Sequence, residues 1–358
     1  MIGISIYPNE KKELTLSAID HAEKAGLKIG FSTLQLPEDN GSDLEEFQEI
    51  LLYARQHGIK LIVDISPTVL EKYHLSSYED LHQYGIEYVR LDSGFTVSEI
   101  AAKFSSFHIV LNASTVTEKD VNQLKAAGID LNWIYACHNY YPEPYTGISL
   151  EFIRSLNHGL HRLGIETIAF IPGDNHLRGP LYNGLATIEE HRLMHDEILR
   201  NALELLDSET DHVLVGDIDV KQKDWKILQN LNNGFIEVPL VTDKIIDDTI
   251  THHDRIDRSE WLWRSTESRL RKISVQADEP RPRCRGAVCI NNSRFLRYEG
   301  EISIARKDLP ADDRVNVIGY IPSSCVYLLN FASHKLWIRF KRVRLVHPDG
   351  YEYFNNKH

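Results

Sequence analysis

The chain has 358 residues, 42% of them hydrophobic and 26% charged, the balance of a soluble globular protein with room for two domains. A formal charge of −12 argues against nucleic acid or an anionic membrane as the main partner, although a few local arginines can still hold a small anion. No apolar run approaches the ~18 residues of a membrane span, MIGISIYPNEKK reads as no signal peptide, and Cys137, Cys284, Cys289 and Cys325 form neither a CxxC pair nor a dense framework, so a reducing, cytoplasmic setting is expected.

In chain order, the first two thirds alternate between short β-rich runs and helical stretches. The runs fall at 3–7, 29–35, 60–65, 86–91, 107–111, 131–136, 166–171 and 212–215. Between the first two, Leu14, Ala18, Ile19, Ala22 and Ala25 share one helical face, which Gly26 closes. Ser42 to Glu45 form an S-x-x-E capping box before a helix that stops at Gly58. Thr187 to Glu190 offer a T-x-x-E box before a long helix through Leu206, and Gly128, Gly164 and Gly234 also follow helical stretches.

Eight strand–helix units in about 235 residues match the rhythm of a (β/α)8 TIM barrel, typically about 250 residues long. A doubly wound open sheet fits less well, because no Gly-rich dinucleotide fingerprint follows the first strand. Past Gly234 the pattern changes to β-rich runs at 287–290, 314–320, 325–330 and 335–340, with one charged helical stretch near 261–273. The expected organisation is therefore α/β: a barrel over residues 1–236, then a mainly antiparallel β domain over 237–358.

In such a barrel, residues just past the strand C-termini line the active site. Here they are Tyr7 and Asn9; Ser32, Thr33, Gln35, Glu38 and Asp39; Asp64 and Ser66; Arg90 and Asp92; Asn112 and Ser114; His138, Asn139, Tyr140 and Tyr141; Asp174, His176 and Arg178; Asp217 and Asp219. A single Asp after a strand usually caps a helix, and Asp219, before the helix near Lys221, fits that reading best. Asp64, Asp92, Asp174 and Asp217 on one rim with Asn, His and Tyr suggest more.

Paired carboxylates suit glycoside hydrolysis, where one protonates the glycosidic oxygen and the other attacks the sugar or activates water. Asp92 and Asp174 are the expected pair, with Asp64 and Asp217 as substitutes. Tyr140 and Tyr141 suit stacking on a sugar face. Arg178, with His176 nearby and Gly179-Pro180 turning the chain, suits an anion cradle in the region where barrels commonly grip phosphate. His191 and His195 lack the glutamate of HExxH, and no GxSxG, Walker A or Rossmann motif occurs.

The motifs GISIYP at 3–8, RLD at 90–92, NAST at 112–115, HNYYP at 138–142, PGD and RGPL within 172–181, EEHR at 189–192 and VGD at 215–217 together resemble the bacterial 6-phospho-N-acetylmuramidase family, over essentially the whole chain. The resemblance implies a TIM barrel followed by a cyclophilin-like β-barrel. It also implies cytoplasmic hydrolysis of the β-1,4 bond of N-acetylmuramic acid 6-phosphate–N-acetylglucosamine during peptidoglycan recycling. On that reading Ser32, Arg90, Asn112, His138, Asn139, Tyr140, His176 and Arg178 bind a phosphorylated disaccharide, no cofactor or metal is needed, and homodimerisation stays open. Two alternatives remain. One is a metal-dependent sugar-phosphate isomerase or epimerase with Asp64, His138, Asp174 and Asp217 as ligands. The other is a carbohydrate-binding protein without turnover.

Overall fold

The computed structural model describes all residues except Pro8, 36–43, Ser93, Lys272, His334, 348–349 and 354–358. Ser42 of the expected capping box, with Glu38 and Asp39, lies outside the described residues. The chain divides into two compact units, Met1–Asn232 and Asn233–His358.

The first unit is a closed parallel barrel of β1 (Ile2–Ser5), β2 (Ile29–Thr33), β3 (Lys60–Ile65), β4 (Tyr88–Leu91), β5 (His108–Asn112), β6 (Ile134–Cys137), β7 (Glu166–Ile171) and β8 (His212–Val215), with β8 returning to β1. The helices between them are α1 (Lys12–Lys24), α2 (Leu44–Gln56), α3 (Val69–Lys72), α4 (Val97–Lys103), α5 (Glu118–Ala126), α6 (Leu150–Arg162), α7 (Glu189–Leu193) and α8 (Ile198–Asp207), followed by α9 (Gln222–Asn232). Local chemistry explains their ends. Thr96 and Thr117 each form a capping box with the acid three residues on, and Gly26 ends α1 at φ +73°, a left-handed conformation that glycine adopts without a Cβ clash.

The long helix expected through Leu206 is instead two, α7 and α8, separated at Met194–Glu197. Asn201 donates to the Met194 carbonyl across the break. Thr187 does not cap α7: its hydroxyl accepts from the Phe170 amide and donates to the Asn139 carbonyl, tying the loop after β7 to β6.

Inside the barrel Phe31, Ile62, Val110, Cys137, Ile168, Phe170 and Leu214 form one buried cluster, against which Tyr88, Tyr135 and Tyr140 pack. Residues from six strands meet in that cluster, so it marks the side of each strand that faces the barrel interior. Strand side chains alternate faces, so the residue two positions further on points the same way. That relation decides which polar groups reach the mouth.

The second unit is a curled, mixed half-barrel sheet of β9 (Phe235–Val241), β10 (Thr251–His252), β11 (Leu262–Arg264), β12 (Ala287–Asn291), β13 (Ile302–Ala305), β14 (Val315–Tyr320) and β15 (Trp337–His347). Their order is β10-β15-β9-β14-β12-β13-β11, and β16 (Gly350–Tyr353) pairs with β15. Its pairings are antiparallel except that β9 and β15 run parallel, from Phe235↔Trp337 to Val241↔Val343. The expected strand at 325–330 is a 3-10 helix, Ser323–Asn330, entered from Pro322. The charged stretch near 261–273 splits into β11 and a five-residue helix, α10 (Thr266–Leu270), capped by Ser265.

Candidate active site

Continuing the interior face of each strand by two residues leads to the polar groups at the C-terminal mouth. Phe31 leads to Thr33, Ile62 to Asp64, Tyr88 to Arg90, Val110 to Asn112 and Cys137 to Asn139. Parallel register sets Thr33 beside Asp64 and Asp64 beside Arg90.

Arg90 is the hub. Its Nη1 donates to Asp64 Oδ1 at 2.8 Å, and its Nη2 to Asp92 Oδ1 at 3.2 Å and to Asn139 Oδ1. Asn112 Nδ2 donates to the same Asp92 oxygen, and Thr33 Oγ1 to Asp64 Oδ2 at 3.3 Å. One buried guanidinium thus ties together two carboxylates and an amide from three strands and their loops. The Asp92 side chain is 30% exposed against 12% for Asp64, so the two acids share a partner but not an environment.

Burial pushes the Asp64 carboxyl up to about 6, although Arg90 pulls the other way. Burial also opposes the charge on Arg90, but Asp64 and the groups around it outweigh this, and the guanidinium stays charged. Beneath it, burial raises the Cys137 thiol to about 12, which keeps it protonated and unsuited to act as a nucleophile.

A second wall of the mouth comes from the loop after β7. The Arg178 guanidinium stacks 4.0 Å from the centre of the Tyr7 ring and donates to Asn9 Oδ1 at 3.1 Å and to its neighbour's carbonyl, while its Nε is buried without a partner among the described residues. Tyr7 in turn donates to the Gly216 carbonyl. Tyr140 packs edge-on against Phe31 and Phe170, and burial lifts its hydroxyl to about 12, with Arg178, Asp64 and Arg90 all close enough to act on it. Tyr140 therefore joins the Arg178 wall to the Arg90 hub. Glu10, absent from the rim residues expected from sequence, lies within the field of Arg178, and burial raises its carboxyl. Its position three residues past Tyr7 was the available signal.

Other expected site residues are placed elsewhere. Ser32 and His138 alternate with interior residues and so face the helices. His138 is fully enclosed, its Nε2 sits 2.8 Å from Asn157 of α6, and burial lowers its pKa to about 4. Asp174 is not paired with Asp92. Its side chain has no exposed surface, Oδ1 accepts the Lys221 amide at 2.8 Å, and Oδ2 lies 3.1 Å from the Lys221 ammonium, so it caps the turn into α9. Asp219 accepts from Val220 and from the Trp225 indole, as a structural carboxylate should. His176 is exposed on the rim, in a left-handed conformation at φ +48°.

Asp217 is fully buried, and its two oxygens accept three backbone amides: Gly173 at 2.8 Å, Arg178 at 2.9 Å and Leu185 at 2.9 Å. Both of its oxygens are committed to shaping the loop that presents Arg178. Asp217→Ala leaves those amides without an acceptor, at roughly 1–3 kcal/mol for each buried unsatisfied group. Thermal unfolding of the variant is expected at a clearly lower temperature; an unchanged midpoint would contradict this role. His191, which the sequence already set apart from the HExxH pattern, is buried with its Nε2 3.0 Å from Glu204.

Two family models match the chain: the 6-phospho-N-acetylmuramidase N-terminal model over residues 2–230 and its C-terminal model over 236–341. Among solved structures, a conserved protein of unknown function from Enterococcus faecalis is 28% identical, with a TM-score of 0.71, covering 95% of this chain and 96% of its own. An uncharacterised protein from B. cereus is 26% identical, with a TM-score of 0.72, covering 95% of this chain and 98% of its own. A search of curated proteins found no match.

Proposed function

The chain belongs to the 6-phospho-N-acetylmuramidase family, a glycosidase family, and on that premise we propose that it hydrolyses the β-1,4 bond of N-acetylmuramic acid 6-phosphate–N-acetylglucosamine in the cytoplasm, as a step of peptidoglycan recycling. The observation that carries the catalytic part is the pair Asp64 and Asp92, bridged by Arg90 at the barrel mouth. Two carboxylates held in different environments divide acid and base roles between them. Asp64 keeps its proton up to about pH 6 and protonates the leaving glycosidic oxygen. Asp92 is the second carboxylate. Its Oδ1 is held by Arg90 and Asn112, while its Oδ2 has no protein partner among the described residues and is free to act. Anomeric configuration of the product, read by NMR, divides the routes: inversion means that Asp92 activates water, and retention means attack on the sugar by Asp92 or by the substrate's own acetamido group, with Asp92 orienting it.

Arg178 receives the 6-phosphate. Its stacked, enclosed guanidinium presents donors in a fixed direction, the form in which arginine recognises phosphate best. Asn139 and Tyr140 line the path between phosphate and scissile bond. The four ligands of a metal-dependent isomerase do not share a site: His138 turns to Asn157, Asp174 to Lys221 and Asp217 to backbone amides.

The direct test is release of N-acetylglucosamine from the phosphorylated disaccharide, with little or none from its unphosphorylated form. Equal release from both would contradict the phosphate role. A pH series adds a second test. The Asp64 carboxyl titrates near 6, above its ordinary 3.8, so the acid form prevails below that value and disappears above it. The expected kcat/KM falls about tenfold per pH unit above about 6. The same upward shift means that the contribution of Asp64 to stability is present at low pH and lost as pH rises from about 4 through about 6. A flat profile from pH 5 to 8 would remove Asp64 from the acid role.

A further inference from the structure

The second unit contains a cleft that plays no part in the proposed hydrolysis. It has a volume of about 500 Å³ and is lined, among the described residues, by Arg258, Arg285, Arg306 and Lys307, with Glu260 as a lining carboxylate and Ser259 and Asn330 as neutral polar groups. Four cations against Glu260 and the buried Asp254 behind them still leave a local excess of positive charge in a chain whose net charge is −12. Such a concentration focuses a field that attracts anions.

The cleft is built rather than incidental. Asp254, with a side chain only 1% exposed, lies behind it and grips two of the guanidiniums, Arg306 Nη2 at 3.0 Å and Arg258 Nε at 3.4 Å. Asp254 itself is fixed by the Arg255 and Arg264 amides. Arg306 also donates to the Leu329 carbonyl at 3.0 Å, and its buried Nε has no partner among the described residues. The two guanidiniums are therefore held in place before any ligand arrives, which lowers the ordering cost of binding. Arg285 is exposed and its side chain has no partner among the described residues. Lys307 reaches Glu260 at 3.3 Å and lies 4.7 Å over the ring of Trp261, an indole 53% exposed beside the cleft.

We propose that this cleft is a second anion site that binds a sugar phosphate: the phosphate by the arginine cluster, the ring by the exposed face of Trp261. Its phosphate preference rests on the cleft's own charges. The sugar part of the ligand class rests on the substrate proposed for the barrel.

The test is calorimetric binding of glucose 6-phosphate, inorganic phosphate and glucose to the full chain, with disaccharide hydrolysis followed in parallel. Two binding events are expected for glucose 6-phosphate, one of them weaker for inorganic phosphate and none for glucose. The double variant Arg285→Ala, Lys307→Ala should weaken one event about tenfold or more, while hydrolysis stays within about twofold. Arg178→Ala should remove the other event. A single event abolished by Arg178→Ala and untouched by the double variant would overturn the cleft. Cleft binding in a chain that hydrolyses nothing would support the cleft and overturn the barrel reading alone. Trp261→Ala should reduce glucose 6-phosphate affinity more than inorganic phosphate affinity; equal losses would overturn the stacking role.

Discussion

Asp92→Asn is expected to lower kcat for hydrolysis of the phosphorylated disaccharide by about 10³-fold or more while leaving the fold intact. General acid–base catalysis by one positioned group contributes about 10²–10⁴-fold, and loss of a nucleophile costs at least as much. The substitution keeps the shape of the side chain and, at the oxygen that Arg90 and Asn112 hold, an acceptor for both. It removes the negative charge and the free carboxylate oxygen. Asp64→Asn should be comparably inactive but should differ in its pH response, because it deletes the fall in activity that sets in above about pH 6. Asp174→Asn provides the contrast. Its carboxylate is enclosed against Lys221, so its loss should appear mainly in stability, with kcat retained within about tenfold. Circular dichroism and unfolding of the three variants separate loss of chemistry from loss of structure. Full inactivation by Asp174→Asn with Asp92→Asn active would return the catalytic pair to the other side of the mouth.

The second large effect concerns recognition. Arg178→Ala should raise KM for the phosphorylated substrate by about 10–100-fold, the range of one or two charge-assisted hydrogen bonds, and should barely alter the slow turnover of unphosphorylated disaccharide. Arg178→Lys keeps the charge but loses the flat guanidinium that stacks on Tyr7 and reaches Asn9, so partial recovery is expected. An equal loss on both substrates would show that Arg178 holds the loop rather than the phosphate. That outcome is worth separating, because the Arg178 amide is one of the three that Asp217 anchors.

Much of the architecture was legible in the sequence because each barrel strand is a short apolar run with punctuation on both sides. The runs at 60–65, 166–171 and 212–215 coincide with β3, β7 and β8. Apolar composition did not separate strand from 3-10 helix at 325–330, where the cysteine, valine and leucine run comes after a proline and closes on itself. The residues past the strand ends contained most of the mouth but not its selection. Ser32 and Thr33 are adjacent in sequence and face opposite sides of β2, as do His138 and Asn139 past β6, and a shift of one residue exchanges the two faces. Position past a strand end cannot make that distinction, whereas counting in twos from Phe31 or Cys137 does. The four aspartates differed for another reason. Asp174 is consumed by the Lys221 amide and ammonium past β8, and Asp217 by backbone amides of the loop after β7, partners set by tertiary packing and distant in sequence. The role of Arg90 was equally out of reach, since it depends on Asn139 extending from β6 across the mouth.

In the proposed reaction Asp64, Arg90 and Asp92 surround the scissile bond while Arg178 holds the phosphate. The most direct measurement is the structure of the Asp92→Asn chain bound to the uncleaved phosphorylated disaccharide. The expected result has the glycosidic oxygen within hydrogen-bond reach of Asp64, the anomeric carbon facing residue 92, and the 6-phosphate on Arg178. A sugar bound with its glycosidic oxygen next to Asp174 or Asp217, or with its phosphate away from Arg178, would contradict the claim.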